Sequence, residues 1–269
     1  MKKNWTGERL ETFIYSRDTI EHLHRYCIVK SYIENKTILD IACGEGYGSN
    51  IMAETASFVH GVDIDASTVQ SAISKYRRPN LKYSVGNAIS IPFDDNTFDV
   101  VVSFETIEHH DGHDEMILEI KRVLKPGGVV IISTPDKLFY SDKPKYNNQY
   151  HIKELYKNEF SDLLAKYFSK NQLLTQQYSS GFSIIQDELE YLDLSFFSGN
   201  YNSVYSKDVD PLYLILIASD TDFTSQKKSI FDGGDILLQQ IQESIYTSNS
   251  YKLGAVLLTP LKILKKILK

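Results

Sequence analysis

Residues Lys36 to Asp65 read KTILDIACGEGYGSNIMAETASFVHGVDID, and the order of residue types in this stretch decides the fold class. Thr37-Ile38-Leu39-Asp40-Ile41 is a short run of β-formers that ends just before a glycine turn, so it reads as a buried strand. In the turn Gly44-Glu45-Gly46-Tyr47-Gly48 the glycines tolerate positive φ and let a ligand come close to the backbone. A helix over about Ser49 to Thr55 follows, with the positive end of its dipole aimed at whatever lies over the turn. Ser57 to Val62 is a second strand with Asp63 at its tip. A carboxylate there can accept hydrogen bonds from both hydroxyls of a ribose.

That arrangement suits two nucleoside-bearing ligands, a nicotinamide dinucleotide or S-adenosylmethionine, and the glycine spacing separates them. A dinucleotide fingerprint G-x-G-x-x-G starting at Gly44 and Gly46 needs glycine at position 49, where this chain has Ser49. The pattern present is D-x-x-x-G-x-G, from Asp40 through Gly44 to Gly46. A carboxylate at Asp40 suits a ligand carrying an ammonium and a sulfonium and is awkward beneath a pyrophosphate.

The remaining strands follow in order. Leu81 to Ala88 reads as a third strand offering Asn87 near an adenine, and Phe98 to Glu105 as a fourth, apolar on both faces and ending in an acid. Glu115 to Leu124 is a helix with Met116, Ile117, Ile120, Val123 and Leu124 on one side, stopped by Lys125-Pro126-Gly127-Gly128. Val129 to Thr134 is the fifth strand. Leu173 to Tyr178 and Leu212 to Ala218 are the last two.

With LDIACGEGYG, GVDID, GNA, FDVVVSFETIEH and VLKPGGVVIIS on the page, the chain resembles the class I S-adenosylmethionine-dependent methyltransferases, similar to types 11 and 12, strongly over about Lys36 to Thr134. The resemblance implies an α/β fold: a Rossmann-like, seven-stranded, mostly parallel sheet with helices on both faces and an antiparallel last strand. It also implies S-adenosylmethionine as cofactor, with S-adenosylhomocysteine as product. The cofactor-binding positions carried over are Arg9, Asp40, Ala42, Gly44, Gly46, Asp63, Ile64, Asn87, Ala88, Ser103 and Glu105. The leader Thr6-Gly7-Glu8-Arg9 and the segment Glu21-His22-Leu23-His24-Arg25-Tyr26 resemble a subgroup associated with bacterial surface-glycan assembly. There an N-terminal Arg or His could pair with the methionyl carboxylate, which points to Arg9, with His24 or Tyr26 as further contacts.

Composition agrees with one α/β core plus additions. The chain has 269 residues and is 42% apolar, with 29 Lys+Arg against 35 Asp+Glu for a net charge of -6. That balance argues against a nucleic-acid partner. The two cysteines, Cys27 and Cys43, imply no disulfide framework and fit a reducing cytoplasm. There is no apolar run of about 20 residues to span a membrane and no signal-peptide core at the N-terminus.

Three regions are expected: a helical N-terminal cap over 1–35, the cofactor domain over 36–219, and a helical extension over 220–269. In the cap, Thr19 to Tyr32 reads as an amphipathic helix capped by Thr19, with Ile20, Leu23, Cys27 and Ile28 facing inward. Within the domain, 179–210 carries Tyr191, Phe196, Phe197, Tyr201 and Tyr205 and is assigned as an acceptor-side insertion. A small satellite core is its alternative. Beyond Thr259 and Pro260, Lys262, Lys265, Lys266 and Lys269 fall on one side of a short helix and Leu261, Ile263, Leu264, Ile267 and Leu268 on the other. A basic amphipathic helix suits an anionic lipid surface or a partner protein. The expected location is therefore the cytoplasm, with peripheral contact at the inner membrane face, and the same helix could equally dock on its own domain or a twin subunit.

The chemistry is expected after the fourth strand, because ligands lie beyond the carboxyl ends of such strands. If the acceptor is a hydroxyl, a base must take its proton, and an imidazole suits that at neutral pH. His109 and His110 are the candidates, with Glu105 or Glu108 orienting them. A divalent metal held among Glu105, Glu108, His109, His110, Asp111 and His113 is the alternative, not favoured because the ligand set is loose and no zinc-like spacing fixes a geometry. The polar stretch Pro135 to Tyr150, rich in Tyr and Asn, reads as a loop over the pocket mouth suited to a sugar-like acceptor. His151, heading an H-x-K-E-L segment like that of the subgroup, is the third catalytic candidate, at the start of a helix over Lys153 to Tyr167. The function expected is O-methylation of a sugar hydroxyl in a surface glycan or its nucleotide- or lipid-linked precursor. A phenol or quinone precursor as acceptor and a scaffold without turnover are the alternatives. DNA amino-methylation is disfavoured, since Ser103-Phe104-Glu105-Thr106 stands where an amide- or acid-Pro-Pro-aromatic motif would hold a flipped base.

Overall fold

The computed structural model describes residues 10–190, 194–254 and 257–258. In chain order the strands are β1 (Thr37–Ile41), β2 (Phe58–Asp63), β3 (Leu81–Val85), β4 (Phe98–Phe104), β5 (Leu124–Pro135), β6 (Lys170–Ser179), β7 (Phe182–Asp187), β8 (Phe197–Asn200), β9 (Ser203–Ser206), β10 (Pro211–Ser219) and β11 (Ser229–Asp232). The α-helices are α1 (Arg17–Ile33), α2 (Tyr47–Met52), α3 (Ala66–Lys75), α4 (His113–Val123), α5 (Lys157–Ala165) and α6 (Gly234–Thr247). One nine-stranded sheet runs in the order β11-β7-β6-β10-β5-β4-β1-β2-β3. β3, β2, β1, β4 and β5 are mutually parallel, and β10 lies antiparallel between β5 and β6. The seven expected strands are thus present in the expected arrangement, with β7 and β11 added beyond them as antiparallel strands on the far edge.

The sheet is apolar on both faces because helices cover both. On one face Ile38, Val59, Val100, Val102, Ile215 and Ile217 pack with Val29 and Ile33 of α1, Met52 of α2 and Ala72 of α3. On the other, Leu39, Val101, Val130, Ile132, Leu214 and Leu216 pack with Met116, Ile117 and Ile120 of α4 and Phe160 and Leu164 of α5. Consecutive strand residues supply opposite faces, which is why these strands read as unbroken apolar runs.

Helix α1 differs from its periodicity-based expectation. Its cap is Ser16, whose hydroxyl accepts from Thr19 N while the Thr19 side chain accepts from Ser16 N, a reciprocal capping box. Cys27 is exposed, and the buried face instead includes Glu21, His24 and Arg25. These polar groups are matched by the outer strands. Arg25 Nη1 donates to Gln176 Oε1 at 2.7 Å, Arg17 grips Glu21 through two bonds, and His24 meets Ser183 and Ser229 at 2.9 Å each. His24 is therefore a structural plug between α1, β7 and β11. A hydrophobic pattern alone could not show this face, because its partners come from strands more than a hundred residues away.

Gly48 is held by close packing. A Cβ built there would lie 1.9 Å from Cζ of the buried Tyr26 ring. The ring is fixed by edge contacts with Tyr47 and Phe104. Gly48→Ala is expected to destabilise the chain by about 1–3 kcal/mol, read as a lower urea midpoint with an unchanged m-value.

Candidate active site

A cavity of about 1000 Å³ opens at the carboxyl ends of β1 to β5 and is lined mainly by residues at and beyond those strand ends. Its volume is at the top of the usual small-ligand range of about 300–1000 Å³, room for a cofactor and an acceptor together. At one end are Ala42, Gly44, Asp63, Ile64, Asn87 and Ala88. At the other are Glu108, His109, Tyr140, Tyr146, Asn148 and His151. Of the sequence-derived candidates, Ala42, Gly44, Asp63, Ile64, Asn87, Ala88, Glu105, His109, His110 and His151 all line it. Arg9 lies outside the described residues, as do Tyr191 and the basic segment Leu261 to Lys269.

Three expected contacts stand behind the wall. Asp40 is buried, and its carboxylate accepts from Ser49 Oγ at 2.5 Å. The serine that breaks the dinucleotide fingerprint is thus the partner of the acid that replaces the apolar strand residue. Gly46 caps α2 at φ 88° and gives its carbonyl to Tyr83 Oη, and Ser103 is fully buried in β4. None of the three lines the cavity, because each lies under the turn or strand that forms the wall.

Asp63 stands at the tip of β2 with both carboxylate oxygens held by backbone. Gly44 N donates to one carboxylate oxygen at 2.9 Å and Asp65 N to the other at 3.0 Å, so the acid is aimed before any ligand arrives. Glu105 and Ala42 adopt positive φ, 51° and 58°. Non-glycine residues in that region carry strain, and both stand on the cavity wall. Glu105 accepts from Ser133 Oγ at 2.6 Å, and its Oε1 is 3.9 Å from Nη2 of buried Arg25, whose guanidinium lies over the Tyr213 ring. Tyr26, His22 and Tyr47 complete this side, with Tyr47 Oη 2.9 Å from His22 Nδ1.

The His109–His151 end depends on a backbone clamp. The carbonyl of Glu108, in the short turn Ile107–His109, accepts from both Ile152 N and Lys153 N, which brings His151 against residues 43 positions earlier. The rings of His109 and His151 meet edge to face at 5.2 Å. His109 Nδ1 is 3.0 Å from the Tyr150 carbonyl, and His151 Nδ1 is 2.5 Å from Glu154 Oε1. Each acceptor requires a proton on Nδ1, so Nε2 of each ring carries the lone pair. Asn148 Oδ1 accepts from Tyr150 N, so its NH2 faces His151 Nε2 at 2.9 Å. Glu108 is buried: Oε2 accepts from Thr134 Oγ1 while Oε1 has no hydrogen-bond partner. Burial first, then the charge of Glu105, push its carboxyl well above the usual carboxylate range. His110 differs from its neighbours: its Nε2 is against Met116 Sδ, and burial lowers its pKa. It lies on the wall but outside the Glu108–His109–His151 group.

Glu154 and Tyr213 carry no strong sequence signal. Glu154 stands out only as the residue three after His151, and Tyr213 as one inward position of an apolar strand. The stretch 179–210, expected on the acceptor side, contributes β7 to the sheet and a β8–β9 hairpin on which Phe197, Tyr201 and Tyr205 are exposed. None of its described residues lines the cavity. The helix expected over Lys153 to Tyr167 is the shorter α5, so His151 lies in the preceding loop rather than at a helix start.

Burial raises the Asp40 carboxyl to about 7, against an opposing bond from Ser49. The native state then binds a proton that the unfolded chain releases near its ordinary value, so this group's stabilisation is present at low pH and is lost as pH rises towards 7. The stability of the wild type relative to Asp40→Asn is expected to fall across about pH 4 to 7 and level off above, measured by urea unfolding at each pH.

The comparisons with known proteins bear on the same residues. A protein-family profile described as a methyltransferase domain matches residues 39–132. A Mycolicibacterium smegmatis protein named "Probable S-adenosylmethionine-dependent methyltransferase" is 38% identical over 132 residues, covering 48% of this chain and 50% of that protein. A Mycobacterium tuberculosis phthiotriol/phenolphthiotriol dimycocerosates methyltransferase is 30% identical over 112 residues, 40% of this chain and 41% of that one. The chain thus spans half or less of the length of these curated relatives. A solved structure from Bacillus halodurans, described as a methyltransferase, superposes with a TM-score of 0.56 at 17% identity, covering 75% of this chain and 100% of that one, a likeness of fold. Residues 39–132 thus match a methyltransferase domain and are similar to the corresponding part of S-adenosylmethionine-dependent methyltransferases, on a Rossmann-like α/β fold.

Proposed function

We propose that the chain transfers a methyl group from S-adenosylmethionine to a hydroxyl of a neutral, polyhydroxylated acceptor, a sugar unit of a surface glycan or of its lipid- or nucleotide-linked precursor. The observation that carries this reading is the charge of the cavity. Its described lining includes Asp18, Glu45, Asp63, Glu105 and Glu108 and no lysine or arginine. Such a wall attracts a ligand bearing ammonium and sulfonium charges, and its described residues offer no side-chain cation to a phosphate. A linked precursor would therefore enter sugar first. Tyr140 stacks on His151 at 5.3 Å with the ring planes 22° apart, and Tyr146 and Asn147 stand beside them. Flat aromatic faces with amide and imidazole edges suit a sugar ring.

When bound, S-adenosylmethionine supplies the methyl group and the departing sulfur. The chain's own part is positioning. Asp63 is oriented by two backbone N–H groups to accept ribose hydroxyls, and the acid-rich wall favours the positive charge. Holding two reactants in line contributes on the order of 7–11 kcal/mol to such a displacement. The acceptor hydroxyl would be held at the Glu108–His109–His151 end, where its proton can leave. A second reading draws on the Mycobacterium tuberculosis relative, whose name carries a dimycocerosate lipid. A lipid-type acceptor would want a more apolar wall than Tyr, Asn and His provide.

Labelled methyl from S-adenosylmethionine, given to an extract divided into nucleotide sugars, lipid-linked glycans, protein and other small molecules, should enter a glycan fraction. Label only among non-sugar molecules would overturn the sugar reading. His151→Ala is expected to lower kcat by about 10²–10⁴-fold while leaving S-adenosylhomocysteine affinity unchanged. Asp63→Ala should weaken that affinity by about 10- to 100-fold, read by isothermal titration.

A further inference from the structure

We infer that Glu108, His109 and His151 hold a divalent metal ion at the acceptor end of the cavity, with its remaining positions open to the acceptor hydroxyl. The sequence put a base here and assembled a looser metal set from residues 105–113. The fold selects differently. It sets aside His110, Asp111 and His113 and recruits His151 from across the cavity.

One ligand atom from each of the three residues lies within 4.8 Å of the other two. Around one ion with bonds of about 2.0–2.2 Å, such atoms stand about 3–4 Å apart, so a small inward closing completes the set. The surroundings are those a metal site needs. Imidazole ligands are usually held by a bond from the other ring nitrogen to a carbonyl or carboxylate. Here Tyr150 O takes that role for His109 and Glu154 Oε1 for His151. A ligating carboxylate is usually anchored through its second oxygen, and Thr134 Oγ1 anchors Glu108 Oε2. The remaining oxygen, Oε1, is buried without a partner in a residue that is 1% exposed. A buried carboxylate oxygen without a hydrogen bond is costly, and a cation between it and the two imidazoles removes the cost. Among the described residues no lysine or arginine lines the cavity to compete for that place. Asn148, whose NH2 faces His151 Nε2, would turn aside as the ion binds.

Two imidazoles and one carboxylate suit first-row divalent ions, with Mn²⁺ and Zn²⁺ ahead of Mg²⁺. The role is that of a Lewis acid in the methyl transfer proposed above, a reading on which this step alone rests. An acceptor hydroxyl on the metal becomes more acidic and releases its proton to cavity water. Its oxygen pair forms the new O–CH3 bond as the C–S bond breaks, and that pair stays on sulfur. No oxidant or reductant is needed.

The test is isothermal titration of Mn²⁺, Zn²⁺ and Mg²⁺ separately into EDTA-stripped full-length chain, with Mn²⁺ binding followed in parallel by electron paramagnetic resonance. One site per chain is expected. Glu108→Gln and His151→Ala should abolish it, and Glu154→Gln should weaken it by about 10- to 100-fold. S-adenosylhomocysteine affinity, retained in each variant, reports that the fold is intact. Binding that survives all three substitutions, absence of binding at millimolar ion, or full methyl transfer by stripped enzyme in EDTA would each overturn the inference. Stoichiometric binding lost in Glu108→Gln supports the site even if no tested acceptor is methylated, a failure that would count against the methyltransferase reading alone.

Discussion

The rest of the structure depends on the place of β1 in the sheet. Asp40 pairs with Gly61 of β2 on one side and with Val102 of β4 on the other. All three strands are parallel, so their carboxyl ends face the same way, while the chain leaves β1 first to one side and later to the other. A crevice must open where those connections diverge. The cavity occupies that crevice, and its wall is assembled from residues at or just beyond the strand ends: Ala42 to Gly44 after β1, Asp63 at the end of β2, Asn87 after β3, Glu105 after β4.

Placing carboxylates in that crevice has an energetic consequence. Asp40 beneath the turn and Glu108 at the acceptor end are both removed from water, and burial raises both carboxyls. Ser49 and Thr134 each offset part of the cost with one hydrogen bond. A sulfonium and ammonium over one end and a divalent ion at the other would offset much of the remainder. The strain at Ala42 and Glu105 belongs to the same economy of the site, since backbone in the left-handed region persists where surrounding packing holds it. Glu105 in particular is pinned by Ser133 and lies near Arg25, whose side chain is locked between α1, β6 and Tyr213. The N-terminal helix thus meets the site both through this buried guanidinium and through Asp18, His22 and Tyr26 on the cavity wall.

The Glu108–His151 end of the cavity is less a product of the sheet than of two loops held together. The Glu108 carbonyl accepts two amides from Ile152 and Lys153, and a bridge between Asp136 and Leu155 closes the loop that carries Tyr140 and Tyr146. Loops of this length inside a compact domain are usually functional, and this one places an aromatic wall and an imidazole across from the Glu108 turn. Beyond it, α6 leaves Leu238, Ile241 and Ile245 exposed along one side. Among the described residues no helix is long and apolar enough to cross a membrane.

By itself the sequence determined the succession of strands along the chain, the glycine turn, the acid at the tip of β2 and the preference for S-adenosylmethionine over a dinucleotide. Each of these follows from residues close together in the chain: apolar runs, glycines, and the D-x-x-x-G-x-G spacing that excludes the third dinucleotide glycine. The tertiary structure decided what depends on residues far apart. It turned Asp40 to Ser49 and away from the cavity, made His24 a structural plug through Ser183 and Ser229, and put β7 and β11 on the sheet edge. It separated His110 from the group that joins His109 to His151. Hydrophobic periodicity reports which side of an element is dry, whereas a buried polar side chain is defined by its partner. The partners of Arg25, Glu108 and His151 arrive from other strands and loops, so their roles emerge only once the chain has closed around them.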